Sequence, residues 1–277
     1  MRKAVLSIQH LLAMFGATVL VPLLTGLDPS VAIFCAGIGT LIFHKCTDLK
    51  VPVFLGSSFA FISVINQVKN TFNGDLSYAQ GGIMVAGLLY IIMSMIIKVA
   101  GPKKVKKYFP PQVTGAMIMI IGLNLLPTAV EMAMNNIIVA IVTLSIAVGI
   151  NKFGRGSIKQ FSVIIAIFIG IAVSAFIGIT DFSAVSKASL FAIPNFSAPK
   201  FSLKAIIIIA PVVLAVFMEH VGDITTNGAV VGKNFLEDPG LHKTLLGDGL
   251  ATLVAGLIGG PANTTYGENT ALLAITK

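Results

Sequence analysis

Apolar windows recur along the whole chain and are separated by short polar connections. They predict membrane-spanning segments near 5–25, 30–46, 51–66, 80–99, 112–128, 135–150, 158–179, 205–223 and 245–260, with a tenth that begins near 264. A helix needs about 20 apolar residues to cross a bilayer, and several of these windows are shorter. The pattern predicts an all-α polytopic membrane protein whose chain covers ten spans.

Two of the short windows carry polar residues at membrane depth. The third contains Gly56-Ser57-Ser58 after Pro52, and the tenth contains Asn263-Thr264-Thr265 after Pro261. Short apolar segments interrupted by glycine or proline indicate the binding site of a transporter. A hydroxyl-rich interface between packed helices is the alternative, and the sequence leaves both interpretations open.

Composition excludes a water-soluble fold. Hydrophobic residues make up 56% of the 277 residues and charged residues 11%, whereas soluble domains carry about 25% charged residues. This excludes an ordinary soluble enzyme, a disordered protein and a disulfide scaffold.

The net charge of +8 comes from basic residues between apolar stretches, so it reflects membrane topology and does not indicate a nucleic-acid partner. With a cytoplasmic N-terminus, most Lys and Arg lie on the inside, and the outside set is Lys69, Lys187, Lys200 and Lys204.

Two pairs of segments echo each other across the chain. Gln9-His10 resembles Glu219-His220, and Ser57-Ser58-Phe59-Ala60 resembles Thr264-Thr265-Tyr266-Gly267, with nearly equal separations. Equal separations imply that the chain repeats after seven spans. Because each repeat then has an odd number of spans, the second copy is inverted in the membrane, as in many secondary transporters. Two such copies need more than 277 residues, so we expect the chain to be a fragment, truncated at its C-terminus within the second copy.

The acidic residues divide into two groups. Eight fall in loops or at span ends, where they are expected to be solvated charges: Asp28, Asp48, Asp75, Glu131, Asp181, Glu237, Asp238 and Asp248. The other three, Glu219, Asp223 and Glu268, fall at membrane depth. A charge at mid-bilayer costs at least ~2.5–3.5 kcal/mol, and such residues usually face a cavity on a transport pathway. The alternative is a structural pair or a protonated carboxyl between packed helices.

The spacing of these acids suggests a ligand. Glu219 and Asp223 are four residues apart and therefore share a helix face. Glu268 follows Gly267 where the tenth span is interrupted, and an interrupted helix exposes N–H donors. Carboxylates beside such donors suit a planar molecule with alternating N–H and C=O groups, such as a lactam or imide ring. These carboxyls could also take up and release a proton during transport.

Aromatic and histidine side chains complete the candidate site. Phe59 and Tyr266 could offer flat stacking faces to a ring, or simply fill a crowded helix crossing. His10 and His220 each follow a polar residue within a span, which suits a hydrogen-bonded interior histidine as well as a proton carrier. We expect no metal site, because Cys and further His are absent nearby.

Five stretches resemble one known family. They are Gln9–Val19, Leu55–Ser63, Glu219–Asp223, Asp238–His242 and Asn263–Asn269. They are similar to the nucleobase:cation symporter family of the nucleobase–ascorbate transporter type, which includes bacterial uracil permeases. The resemblance runs along essentially the whole chain.

The resemblance implies a 7+7 inverted-repeat fold of fourteen spans with short extended strands in spans 3 and 10. On this chain, residues 1–100 would form spans 1–4 of a core domain, 101–180 would form gate spans 5–7, and 181–277 core spans 8–10. The nucleobase would bind between the two strands.

It also implies the function: uracil uptake coupled to protons across the bacterial cytoplasmic membrane, by an elevator-type movement in a homodimer. Glu219 and Glu268 would hydrogen-bond the uracil ring, and the backbone N–H groups of Phe59 and Gly267 would meet its carbonyls. Tyr266 would help to line the site.

Proton coupling would involve Glu219, Asp223, Glu268 and His220. Some uracil permeases have a second histidine where this chain has Asp223, and an acid there resembles the purine branch. A xanthine or purine symporter is therefore an alternative. Another is an anion transporter or channel of the same architecture, although two glutamates without Lys or Arg would repel anions. No hydrolase, metal or phosphate-loop motif indicates an enzyme, and no cofactor is expected.

Overall fold

The computed structural model describes residues 2–101, 104, 110–155, 157–183, 185, 192–267, 270 and 273. The helices, in chain order, are α1 (Arg2–Thr25), α2 (Pro29–Cys46), α3 (Ile62–Thr71), α4 (Ser77–Ala100), α5 (Pro111–Met134), α6 (Ile137–Phe153), α7 (Ser162–Phe176), α8 (Leu203–Ile209), α9 (Val212–Val231) and α10 (Leu241–Ile258). Single helical turns occur at Phe59–Phe61 and Ser157–Gln160, and Leu236–Gly240 is a kinked segment in which Asp238 is extended. Two short strands are β1 (Leu55–Ser57) and β2 (Asn263–Thr265). The predominance of helices confirms the predicted fold class.

Long apolar helices make the chain a multi-pass membrane protein. Within the described ranges, five helical stretches are long and apolar enough to cross a bilayer: Pro29–Cys46, Ser77–Ala100, Gln112–Met134, Leu203–Val231 and Leu236–Ile258. The stretches Met14–Thr25, Ile137–Phe153 and Ser162–Phe176 are apolar but shorter. Large apolar side chains such as Leu41 and Val99 are 70% and 90% exposed, as expected for helices that face lipid. The count of ten spans stays a prediction.

The chain forms two compact units. One comprises residues 1–121 and 194–277, and the other comprises residues 122–193. In the second unit α6 packs against α7, with Gly170 directly beside Thr143. The predicted division into core and gate segments stays a prediction.

The first unit is organised around α10, which packs mainly against α4 and α2. A Cβ added at Gly87 would lie 2.5 Å from the backbone nitrogen of Leu253, and one added at Gly256 would lie 2.6 Å from that of Met84. Glycine at these positions lets the two helix backbones approach closely, which drives helix association where lipid supplies no hydrophobic force.

Candidate functional site

Two interrupted segments meet at the centre of the first unit. Strands β1 and β2 pair antiparallel, with Leu55 opposite Thr265, Gly56 opposite Thr264 and Ser57 opposite Asn263. The expectation of short extended strands in the third and tenth spans is confirmed. An isolated pair of short strands is marginally stable, so contacts from the neighbouring helices must stabilise this one.

A threonine from a neighbouring helix anchors each strand. Thr40 of α2 accepts a hydrogen bond from the backbone N–H of Leu55 at 3.0 Å. Thr252 of α10 accepts from the N–H of Asn263 at 3.2 Å and donates to its carbonyl at 3.0 Å. The Asn263 side chain in turn donates to the Cys35 carbonyl at 3.2 Å. Backbone groups that leave the helical pattern inside a membrane protein need such internal partners.

The strand pairing ends symmetrically. The Ser58 N–H donates to the Ala262 carbonyl at 2.8 Å, and the Tyr266 N–H donates to the Phe54 carbonyl at 3.1 Å. The next amides along the chain, those of Phe59 and Gly267, are the first beyond the pairing. That these two amides donate to a ligand stays a prediction.

Tyr266 fastens the two strands together. Its hydroxyl donates to the Ser57 carbonyl at 3.0 Å and accepts from the Thr18 hydroxyl at 3.3 Å. Its ring covers Gly56, where an added Cβ would lie 2.4 Å from ring carbons. The side chain is 3% exposed. The phenol hydroxyl is therefore hydrogen-bonded to β1.

A cavity of about 250 Å³ opens at the strand ends, within the first unit. The described residues that line it are Phe59, Ile118, Glu219, Asp223, Thr264, Thr265, Tyr266 and Gly267. Pockets for drug-sized ligands measure about 300–1,000 Å³, so this cavity suits a smaller molecule.

The acids of α9 face this cavity from one side. Asp223 accepts a hydrogen bond from the Thr265 hydroxyl at 3.1 Å, and its other carboxyl oxygen lies 3.0 Å from where a Cβ on Gly267 would be. Glu219 lies one helical turn earlier and also lines the cavity. The Asp223 carboxylate thus lies beside the backbone that follows β2.

The structure brings together most of the predicted site. Five of the predicted residues share the cavity, namely Phe59, Glu219, Asp223, Tyr266 and Gly267. Glu268 lies outside the described residues. In the part of the chain that is described, no group of three or more His, Cys, Asp or Glu could hold a metal ion.

His220 points elsewhere and has a partner that sequence analysis missed. Its ring is fully buried, with Nδ1 at 2.8 Å from Asp248 Oδ2 and Nε2 at 2.9 Å from the Thr244 hydroxyl. The prediction of Asp248 as a solvated charge was wrong, because α10 places this residue in the interior at 1% exposure. Its position inside the apolar window 245–260 was the available signal.

The comparisons with known proteins are consistent over the whole chain. The model of the Permease family matches residues 1–277. The "Probable uracil permease" of Pasteurella multocida is 41% identical over 285 residues, which cover 100% of this chain and 68% of that protein. The "Uracil permease" of Bacillus caldolyticus is 42% identical, and the alignment covers 98% of this chain and 66% of that protein. The "Uracil permease" of Escherichia coli K12 is 39% identical, covering 98% and 65%.

A solved structure has a similar fold. The transmembrane domain of a cyanobacterium bicarbonate transporter, BicA, superposes with a TM-score of 0.63, covering 97% of this chain and 74% of that one. Its sequence identity of 14% limits this likeness to the fold. The match of the family over every residue confirms the resemblance found in the sequence and makes the protein a transporter and not an enzyme. This chain belongs to the Permease family.

Proposed function

We propose that this protein takes up uracil together with protons across the bacterial cytoplasmic membrane. The relatives named uracil permease support the substrate, because they are about 40% identical along nearly the whole chain. The observation that carries the proposal is the cavity at the strand ends, whose lining includes Phe59 and Gly267, the residues that follow the pairing, and Glu219 and Asp223 of α9.

The chemistry of the cavity suits an imide ring. The Glu219 carboxylate would accept from a ring N–H, with Glu268 as the second carboxylate. The amides of Phe59 and Gly267 would donate to the ring carbonyls, and the Phe59 ring would stack on its face. Tyr266 would contribute shape, since its hydroxyl is already bonded to β1.

Proton coupling is assigned to Glu219, Asp223, Glu268 and His220. Asp223 accepts from the Thr265 hydroxyl at the end of β2, so a change in its charge would alter a hydrogen bond at the cavity. Transport would proceed by an elevator movement of core against gate in a homodimer embedded in the lipid bilayer. The distribution of Lys and Arg supports a cytoplasmic N-terminus.

Two alternatives are testable. Asp223 favours a purine such as xanthine, because it stands where some uracil permeases have a histidine. The second alternative is an anion transporter, because the bicarbonate transporter BicA has a similar fold. The described lining of the cavity includes two acids and no Lys or Arg, which disfavours an anionic substrate.

The proposal is tested by expressing this protein in cells that lack their own uracil transport and measuring their uptake of labelled uracil. We expect saturable uptake that unlabelled uracil competes away more strongly than xanthine or bicarbonate, and that a proton uncoupler abolishes. Uptake that survives the uncoupler would reject proton coupling, and stronger competition by xanthine would reject uracil as the preferred substrate.

Glu219→Gln tests the cavity itself. A hydrogen bond to a charged group contributes about 1.5–3 kcal/mol, so uracil should bind to the purified variant roughly 10–100-fold more weakly. The matched control is Glu237→Gln, which alters an exposed acid in the turn before α10 and should leave the Kd unchanged. Equal binding by both variants would remove Glu219 from the site.

A further inference from the structure

We propose that the buried pair of His220 and Asp248 binds the transported proton as one unit, behind the substrate cavity. The inference rests on the proposed uracil:proton symport and adds Asp248 to it. His220 comes from α9 and Asp248 from α10, so the proton site is built between two core helices and not on one.

The contacts allow two proton counts for this pair. The Thr244 hydroxyl lies 3.0 Å from the Leu241 carbonyl and 2.9 Å from His220 Nε2, and Nδ1 lies 2.8 Å from Asp248 Oδ2 as a close charge contact without the alignment of a hydrogen bond. When the hydroxyl donates to the Leu241 carbonyl, it accepts from a protonated Nε2. In that arrangement the adjacent carboxylate favours one more proton, either on Nδ1 as an imidazolium or on Oδ2 as a carboxylic acid.

Burial makes this proton a property of the pair. The side chains of His220 and Asp248 are 0% and 2% exposed. Removing one partner's charge from a buried ion pair leaves an uncompensated charge, which costs several kcal/mol. Both protonated forms are neutral overall and interconvert by moving the proton between the two atoms. Loading breaks an O–H bond of a hydronium ion and forms an N–H bond at His220 Nε2, and release reverses this exchange and returns the proton to water.

Thr244 can act as the switch of the site. If its hydroxyl turns from the Leu241 carbonyl to donate to Nε2, the ring keeps a proton on Nδ1 alone, and the pair becomes an imidazole with a carboxylate. That form has lost one proton and carries a negative charge. Rotation of one hydroxyl thus separates the loaded state from the unloaded state.

Titratable residues of two helices neighbour the pair. Glu219, which lines the cavity, directly precedes His220 on α9, and Asp223 follows one turn later. Tyr90 of α4 is buried and interacts electrostatically with both Asp248 and Glu219. Across the residues that the structure describes, Tyr90 Oη and Asp248 Oδ1 are buried without a hydrogen-bond partner.

The test separates exchange from coupling in proteoliposomes that contain the purified permease. Asp248→Asn should retain uracil counterflow, which needs no net proton movement, and should lose accumulation driven by a pH gradient. The slope of log Kd for uracil against pH counts the protons taken up on binding. In Asp248→Asn this slope should be smaller by about one than in the unsubstituted protein. Asp48→Asn is the matched control, because this exposed acid pairs with Lys243 at the surface.

A second pair of variants guards against misfolding of Asp248→Asn. Thr244→Val should show the same loss of gradient-driven accumulation with counterflow retained, and Thr244→Ser should behave like the unsubstituted protein. Accumulation and a pH slope unchanged in both Asp248→Asn and Thr244→Val would overturn this inference alone. Failure of the unsubstituted permease to bind or exchange uracil would instead overturn the proposed function, and this inference with it.

Discussion

Replacing Tyr266 by phenylalanine removes one hydroxyl group from the junction of β1 and β2 and leaves the aromatic ring in place. That hydroxyl donates to the Ser57 carbonyl and accepts from Thr18. The change therefore separates two roles of Tyr266, the fastening of the strands and the lining of the cavity. We expect it to reduce stability and to leave uracil binding nearly unchanged.

The magnitude follows from what each former partner retains. The one proton of the Thr18 hydroxyl, which the phenol oxygen accepts in the unsubstituted protein, can be donated to the Met14 carbonyl at 2.9 Å instead. Ser57 and Asn263 form a non-hydrogen-bonded pair of the ladder, because the neighbouring pair, Ser58 and Ala262, is bonded. The Ser57 carbonyl thus points out of the ladder toward the phenol. Leaving a buried acceptor unsatisfied costs about 1–3 kcal/mol, which corresponds to a fall in Tm of roughly 2–10 °C.

Thermal unfolding in detergent measures the first effect, and titration calorimetry with uracil measures the second. Tyr78→Phe is the matched control, because Tyr78 is only partly buried and stacks on Phe72 with ring centroids 4.2 Å apart. Its Tm should stay close to that of the unsubstituted protein. An unchanged Tm for Tyr266→Phe together with a tenfold weaker Kd, about 1.4 kcal/mol, would show that the hydroxyl contacts the ligand and would refute the assignment to β1.

Two further predictions concern the frame around the site. Gly256→Val should prevent folding or lower the free energy of unfolding by about 3 kcal/mol or more, because its Cβ would lie 2.6 Å from the Met84 backbone. Gly37→Val is the control and should fold normally, because a Cβ there would meet no atom within 4 Å. Equal yields of the two folded variants in detergent would contradict this prediction. The Lys200 ammonium, at 2.8 Å, holds the pKa of Asp75 below its ordinary 3.8. This pair's stabilisation is therefore present at neutral pH and disappears as the pH falls through that lowered value. The Tm difference between Lys200→Gln and the unsubstituted protein should shrink in acid, and a difference that grows in acid would contradict the assignment.

The two strands could be predicted from the sequence because the residues within each segment determine the interruption of the helix. Gly56 and the hydroxyl residues that follow cannot form a regular apolar span, and the same holds for the segment Asn263–Thr265. The structure pairs these segments. The sequence also indicated a shared helix face for Glu219 and Asp223, and both line the cavity. The anchors Thr40 and Thr252 could not be found this way, since their partners are tertiary neighbours.

Asp248 shows why one signal was misread. It lies near the start of the apolar window 245–260 and was expected at a span end as a solvated charge. Its neighbours Gly247 and Gly249 are of a residue type that also marks turns. In the structure both glycines are helical and serve packing: a Cβ on Gly247 would lie 2.8 Å from the Phe43 ring, and one on Gly249 would lie 2.9 Å from the Tyr90 Cβ. Glycine marks a turn and a close helix crossing equally well, and only the surrounding apolar window distinguishes them. Once a helix is inferred there, the buried acid requires a partner, and an interior His220 on another span is the natural candidate.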